Sequence, residues 1–172
     1  MSRKIEVVPY NINWQNLYEA EAQKITNVFG SEVFRIHHIG STAIPGIMAK
    51  PIIDIMVVVH DITVIRDYIN AMIDLGYEPL GENGIPGRQF FIKNTEGIRT
   101  QHIHIYQVGH KEIQRHLQFR DYLRTHPADA LVYSQLKEEL AKTYRNDPQG
   151  YTNGKDEFVE KIDERAKKWK DN

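Results

Sequence analysis

Apolar residues near the start of the chain recur at the spacing of one helix face. Trp14, Leu17, Tyr18, Ile25, Val28 and Phe29 form the stripe, with Asn13 placed to cap it and Gly30 to stop it. Val33–Ile39 then reads as a strand running into Gly40-Ser41. Ile52–Val59 is an almost unbroken β-branched run, the pattern of a strand covered on both faces. Asp61 is placed to cap a helix carrying Ile62, Ile65, Ile69, Met72 and Ile73, closed by Gly76. Short strands follow at Tyr77–Leu80, Arg88–Ile92 and Ile98–Gln107, separated by glycine- and asparagine-bearing turns. From Lys111 the period is helical to the end. One helix carries Ile113, Leu117 and Leu123, and a second starts at Pro127 with Val132, Leu136, Leu140 and Tyr144. A third carries Phe158, Val159, Ile162, Ala166 and Trp169.

This pattern predicts an α/β (α+β) fold, with a small mixed sheet of four or five strands, flanking helices and a C-terminal helical tail. A chain of 172 residues is expected to form one domain, at about 100–200 residues per domain. Its mixed α/β core would run over about 1–109 and its helical tail over about 110–172. Lys and Arg number 22 against 23 Asp and Glu, so the net charge is −1 and a nucleic-acid partner is not expected. The absence of cysteine excludes a disulfide scaffold, a thiolate metal site and a cysteine nucleophile, and fits a reducing compartment. The N-terminal stretch is too polar for a signal peptide, and no apolar run approaches the roughly 20 residues that span a bilayer. The expectation is a cytoplasmic protein with no membrane partner. No heptad seam assigns an oligomeric state.

Asp54 stands out because its strand otherwise wants apolar surroundings. A carboxylate there needs a cation, a donor network or a raised pKa. Gly40-Ser41, between a strand and a segment containing Pro45 and Gly46, could bring backbone amides and a hydroxyl to a phosphate; an ordinary turn is the simpler reading. Strand alternation puts Thr100, His102, His104 and Tyr106 on one face, where the two histidines could share a metal or a phosphate. His37 and His38 point to opposite faces. Lys50, four residues before Asp54, and Arg88, Arg99, Arg120 and Lys155 at element ends would suit a polyphosphate if several converged.

Gly40-Ser41 followed by Asp54 in the next strand resembles the signature of the nucleotidyltransferase superfamily, whose fold is that of DNA polymerase β. The likeness narrows with five blocks in order: His38–Gly46, Ala49–Ile55, His102-Ile103-His104, Leu117–Arg124 and Tyr151-Thr152-Asn153-Gly154-Lys155. Together they resemble the GrpB family from about residue 5 to 169. The resemblance implies a nucleotidyltransferase-type sheet followed by helices, and an ATP-like nucleotide bound with a divalent metal, Mg²⁺ or Mn²⁺, with Zn²⁺ a third candidate. It implies Asp54 and His104 as catalytic residues and Asp54, His102 and His104 as metal ligands. Gly40, Ser41, Thr42, Lys50, Arg120 and Lys155 would hold the nucleotide phosphates. Related domains also occur fused to dephospho-coenzyme A kinases.

One departure bears on the chemistry. The superfamily's second acid should stand two residues after Asp54, where this chain has Met56, so the usual two-metal clamp is incomplete. A one-metal transferase, a site adapted to an imidazole-binding metal, and a nucleotide-binding module without catalysis all follow. A histidine-triad hydrolase fits less well, since Tyr106 stands where its third alternating histidine belongs.

Overall fold

The computed structural model describes residues 4–172; the first three residues of the polar N-terminal stretch lie outside it. The chain divides into two compact units that alternate along the sequence. A sheet unit takes Ile12–Ile39 and Ile52–Gln114, and a helical unit takes the chain up to Asn11, Gly40–Pro51 and Arg115–Asn172.

In the sheet unit, α1 (Asn13–Phe29) buries Trp14, Ala22, Ile25 and Phe29. Leu17, expected on that stripe, is 52% exposed. The cap position belongs to Ile12 and carries no side-chain bond, because Asn13 already lies inside the helix. Strands β1 (Val33–Ile39), β2 (Ile53–Val59), β3 (Tyr77–Pro79), β4 (Gln89–Thr95) and β5 (Ile98–Gln107) form one sheet in the order β1-β2-β5-β4-β3. β2 and β5 run parallel while the other pairs are antiparallel. The continuous apolar run of β2 matches its burial, since six of its seven residues are inaccessible and the intermediate one is Asp54.

The helix expected after Asp61 is mostly a tighter coil. Asp61 does cap it, with Oδ1 accepting from the Thr63 amide at 2.9 Å. Ile62–Tyr68 is nevertheless 3₁₀, and α2 covers only Ile69–Asp74. Consecutive β-branched residues from Ile62 to Ile65 lose rotamer freedom in an α-helix, which disfavours one there. Ile73, expected on the buried face, is 47% exposed. A buried polar cluster ties α1 to the far strands. Glu21 accepts from Tyr77 Oη at 2.5 Å and from Lys93 Nζ at 3.0 Å.

In the helical unit, α3 (Lys111–Thr125, from Arg115 on), α4 (Pro127–Thr143) and α5 (Pro148–Asp171) enclose a core of Ile44, Ile47, Phe119, Tyr122, Leu123, Ala130, Tyr133, Ile162 and Ala166. The buried face of α4 is Ala130, Tyr133, Ser134, Lys137 and Ala141; of the expected stripe, Leu140 and Tyr144 pack against the cluster of Ile5, Ala141 and Tyr151, while Val132 is 50% exposed. Small residues and a lysine occupy inward positions there, so an apolar-only reading rotates the helix wrongly. α5 begins ten residues before the first apolar residue of its predicted stripe. Pro148 opens it and Asp147 caps it, its Oδ1 accepting from the Gly150 amide at 3.0 Å. Among the described residues, no helix is long and apolar enough to cross a membrane.

Candidate functional site

Asp54 sits near the start of β2, in register with His102 of β5 and Ile39 of β1. Parallel pairing puts Asp54, His102 and His104 on one sheet face. Both rings converge on one carboxylate oxygen: His104 Nε2 lies 3.0 Å from Asp54 Oδ1 and His102 Nδ1 lies 3.4 Å from it. Phe90, opposite His104 on β4, closes the cluster, with ring centroids 5.4 Å from His102 and 5.0 Å from His104. Asp54 keeps 25% of its side chain exposed, so the site meets solvent along the carboxylate edge.

Arg88 sets the proton on His104. Its Nη1 stands 3.2 Å from His104 Nδ1, and a guanidinium can only donate, so Nδ1 accepts. The ring proton is then on Nε2, pointing at Asp54. Burial lowers the His104 pKa first; the Asp54 contact works against that, and the Arg88 and His102 charges add to it, leaving a net lowering. Burial alone would raise the Asp54 carboxyl, but the bonds and charge of His102 and His104 outweigh it and hold it well below the usual carboxylate range. His102 turns Nδ1 to Asp54, and its buried Nε2 has no hydrogen-bond partner among the described residues. A carboxylate-oriented imidazole with an unengaged second nitrogen is suited to take a proton or a metal.

The donor set also ranks metals. One ligand atom from each of Asp54, His102 and His104 lies within 4.8 Å of the others. Met56, where a second acid would stand, is fully buried beside His104 in the β2/β5 register. One carboxylate and two imidazoles fit Mg²⁺ poorly and suit Mn²⁺, Fe²⁺ or Zn²⁺. A metal at His104 Nε2 would displace the ring proton to Nδ1, where Arg88 already donates. Asp54 is therefore available as a ligand in the geometry seen; His102 joins it through Nδ1 when its ring proton sits on Nε2, and His104 joins only if Arg88 withdraws.

Arg88 was anticipated only as one of several element-end cations. It is 6% exposed, and its Nε and Nη2 donate to the Glu82 and Asn83 carbonyls at 3.1 and 2.8 Å. It thereby pins the Gly81–Gly87 loop, which also closes on itself through the Gly87 amide and Glu82 Oε2 at 2.6 Å.

The expected phosphate-binding residues fall in the helical unit. Gly40, at φ 74°, turns the chain out of β1 with a torsion that favours glycine. Ser41 to Ala43 form a 3₁₀ turn in which the Ala43 and Ile44 amides are spent on the Gly40 and Ser41 carbonyls, and Thr42 is buried. Arg120 Nε pairs with Asp121 at 2.9 Å. Lys50 and Lys155 do reach the same ring, with Nζ atoms 5.1 and 4.7 Å from the centroid of Tyr151. Lys137, absent from the expected set, belongs with them; its place on the buried face, four residues after Tyr133 and four before Ala141, was the available signal.

A profile of the family described as GrpB protein matches residues 4–165. The chain is 45% identical over 168 residues to the UPF0157 protein YqkA of Bacillus subtilis; the match covers 98% of this chain and 49% of that protein, so the chain spans about half its relative's length. The crystal structure of the conserved protein GrpB from Enterococcus faecalis superposes with a TM-score of 0.92 at 39% identity, covering 95% of this chain and 99% of that one. Cid1, described as having RNA terminal uridylyl transferase activity, superposes with a TM-score of 0.50 at 9% identity, over 76% of this chain and 39% of that one. That last likeness concerns the fold alone, and the fold is nucleotidyltransferase-like.

Proposed function

We propose that this chain, which belongs to the GrpB family, binds a nucleoside triphosphate and one divalent metal ion, using Asp54 and His102 as the metal ligands. The observation that carries the reading is a strand-borne carboxylate gripped by two imidazoles, one with an unengaged nitrogen. The metal, when bound, supplies charge neutralisation for phosphate oxygens. Asp54 orients both rings, and His104 holds its proton toward Asp54. Within the helical unit, Gly40, Ser41, Thr42, Lys50, Arg120 and Lys155 are proposed as contacts for phosphate.

A second reading is a nucleotide-binding module without catalysis. It is favoured by Met56 in place of an acid and by Arg88 holding His104 in the protonated-Nε2 form. Calorimetric titration of the protein and of Asp54→Asn with ATP, in EDTA and with Mn²⁺, Zn²⁺ or Mg²⁺, separates the two. Binding that needs Mn²⁺ or Zn²⁺ and disappears in Asp54→Asn is the expected result. Binding indifferent to metal and to Asp54 favours the module, and absence of ATP binding under every condition sinks both.

A further inference from the structure

Lys137 is 1% exposed on the inner face of α4, and its Nζ has no hydrogen-bond partner among the described residues. Its ammonium lies over the Tyr133 ring, 4.5 Å from the centroid. Tyr151, also 1% exposed, likewise leaves its hydroxyl without a partner. Buried polar groups are nearly always satisfied, so two unsatisfied ones in the same unit call for a missing partner. A lysine ammonium only donates, and a phenol hydroxyl can donate, so the complement of the pair is an acceptor.

The charges narrow the choice. Lys50 and Lys155 bring their ammonium groups to the Tyr151 ring. Burial first, then the charges of Lys155 and Lys50, press the Lys137 pKa well below its ordinary value. The charges of Lys155 and Lys50 thus reach Lys137, one of the two donors that lack an acceptor.

The fold goes to some length to assemble this arrangement. Gly150 and Gly154 lie inside α5, where glycine is intrinsically unfavourable. A Cβ on Gly154 would sit 2.5 Å from Leu140 Cδ2, and one on Gly150 would run into the Tyr144 ring, so both glycines permit close approach of α5 to α4 and the turn after it. That approach carries Tyr151 and Lys155 inward. Lys50 is held by its own segment, where the Met48 amide donates to Ser134 Oγ on α4 at 2.8 Å and Ala49 bridges to Val8.

We propose that Lys137, Lys50, Lys155 and the Tyr151 hydroxyl bind a tetrahedral oxyanion, the terminal phosphate group of a phosphorylated small molecule. A dianionic phosphate terminus offers three acceptor oxygens and two charges to set against the lysines, where a carboxylate offers two oxygens and one charge. The site extends the phosphate-binding role of Lys50 and Lys155 to two residues nothing else assigns. It needs neither a metal nor Asp54, so it can fail or succeed separately from the metal reading.

The test is thermal unfolding and calorimetric titration of the full chain in EDTA with orthophosphate, tripolyphosphate or ATP, against NaCl at matched ionic strength. Tripolyphosphate should raise the midpoint of the wild type and of Asp54→Asn equally, and should leave that of Lys137→Met unmoved. Tyr151→Phe should bind at least tenfold more weakly. Comparison of the three anions tells a lone phosphate from the tail of a nucleotide, and binding of any of them that requires Lys137 upholds the site. The Lys137→Met protein must melt cooperatively without anion; if it does not fold, Lys155→Met provides the same comparison. An equal response to tripolyphosphate in wild type and Lys137→Met, or no response of the wild type beyond that to NaCl, overturns the proposal.

Discussion

The two units treat a buried ionisable group in opposite ways. In the sheet unit Asp54 meets two imidazoles, and Glu21 is met by a tyrosine hydroxyl and a lysine. In the helical unit Lys137 meets an aromatic face and two further lysines. The acids lie in a unit that supplies their donors from its own strands. The lysine lies in a unit that supplies no acceptor for its ammonium among the described residues. Asp54 and Glu21 are thus compensated within their own unit, and Lys137 is not.

Removing the best-compensated acid should have the largest effect. Glu21→Ala leaves Lys93 and the Tyr77 hydroxyl without their acceptor, and is expected to cost about 3–5 kcal/mol in denaturant unfolding, the usual penalty for breaking a buried pair. Asp54→Asn keeps the shape but weakens both imidazole contacts, and should cost about 1–3 kcal/mol. If it stabilised the protein instead, Asp54 would belong with Lys137 as a group maintained at a cost to the fold.

Lys137→Met should move the other way, raising stability by about 1 kcal/mol in anion-free buffer, because a buried amine without a hydrogen-bond partner gives way to an apolar side chain of similar length. Its pH dependence sharpens the point. A lysine whose native pKa is depressed binds fewer protons folded than unfolded, so wild-type stability should climb as pH rises toward the ordinary lysine value of about 10.4. Lys137→Met should lose most of that climb, and a parallel curve for the two proteins would show that Lys137 is charged and paired in the native state. The smallest effect is expected at the surface, where Glu157 and Lys161 face each other at 3.2 Å on α5. Glu157→Ala should shift stability by less than about 0.5 kcal/mol.

Asp54 could be found in the sequence because a charge in a β-branched run violates a strong pattern, and the period of two placed His102 and His104 on one face. Their convergence on one oxygen depended on β2 and β5 being parallel neighbours, which lies in the topology rather than in any local pattern. Lys137 was hidden for the opposite reason. A lysine on a helix is ordinarily solvated, and the inward face of α4 is built from Ala130, Ser134 and Ala141, which raise little hydrophobic signal. Gly150 and Gly154 lie ahead of the apolar stripe that begins at Phe158, and close packing against Tyr144 and Leu140 makes them part of the helix. The blocks resembling the GrpB family bridged those gaps, since they include Lys50, Tyr151 and Lys155 without needing to explain them.

Arg88 joins a loop to a ring through one guanidinium, with two of its nitrogens on the Glu82 and Asn83 carbonyls and a third on His104 Nδ1. The fold of the loop and the tautomer of the histidine are therefore a single variable. Any ligand that draws the 82–88 loop away frees Nδ1 to carry the proton and Nε2 to give it up. The nitrogen chemical shifts of one imidazole would then report whether a loop more than fifteen residues upstream is open or shut.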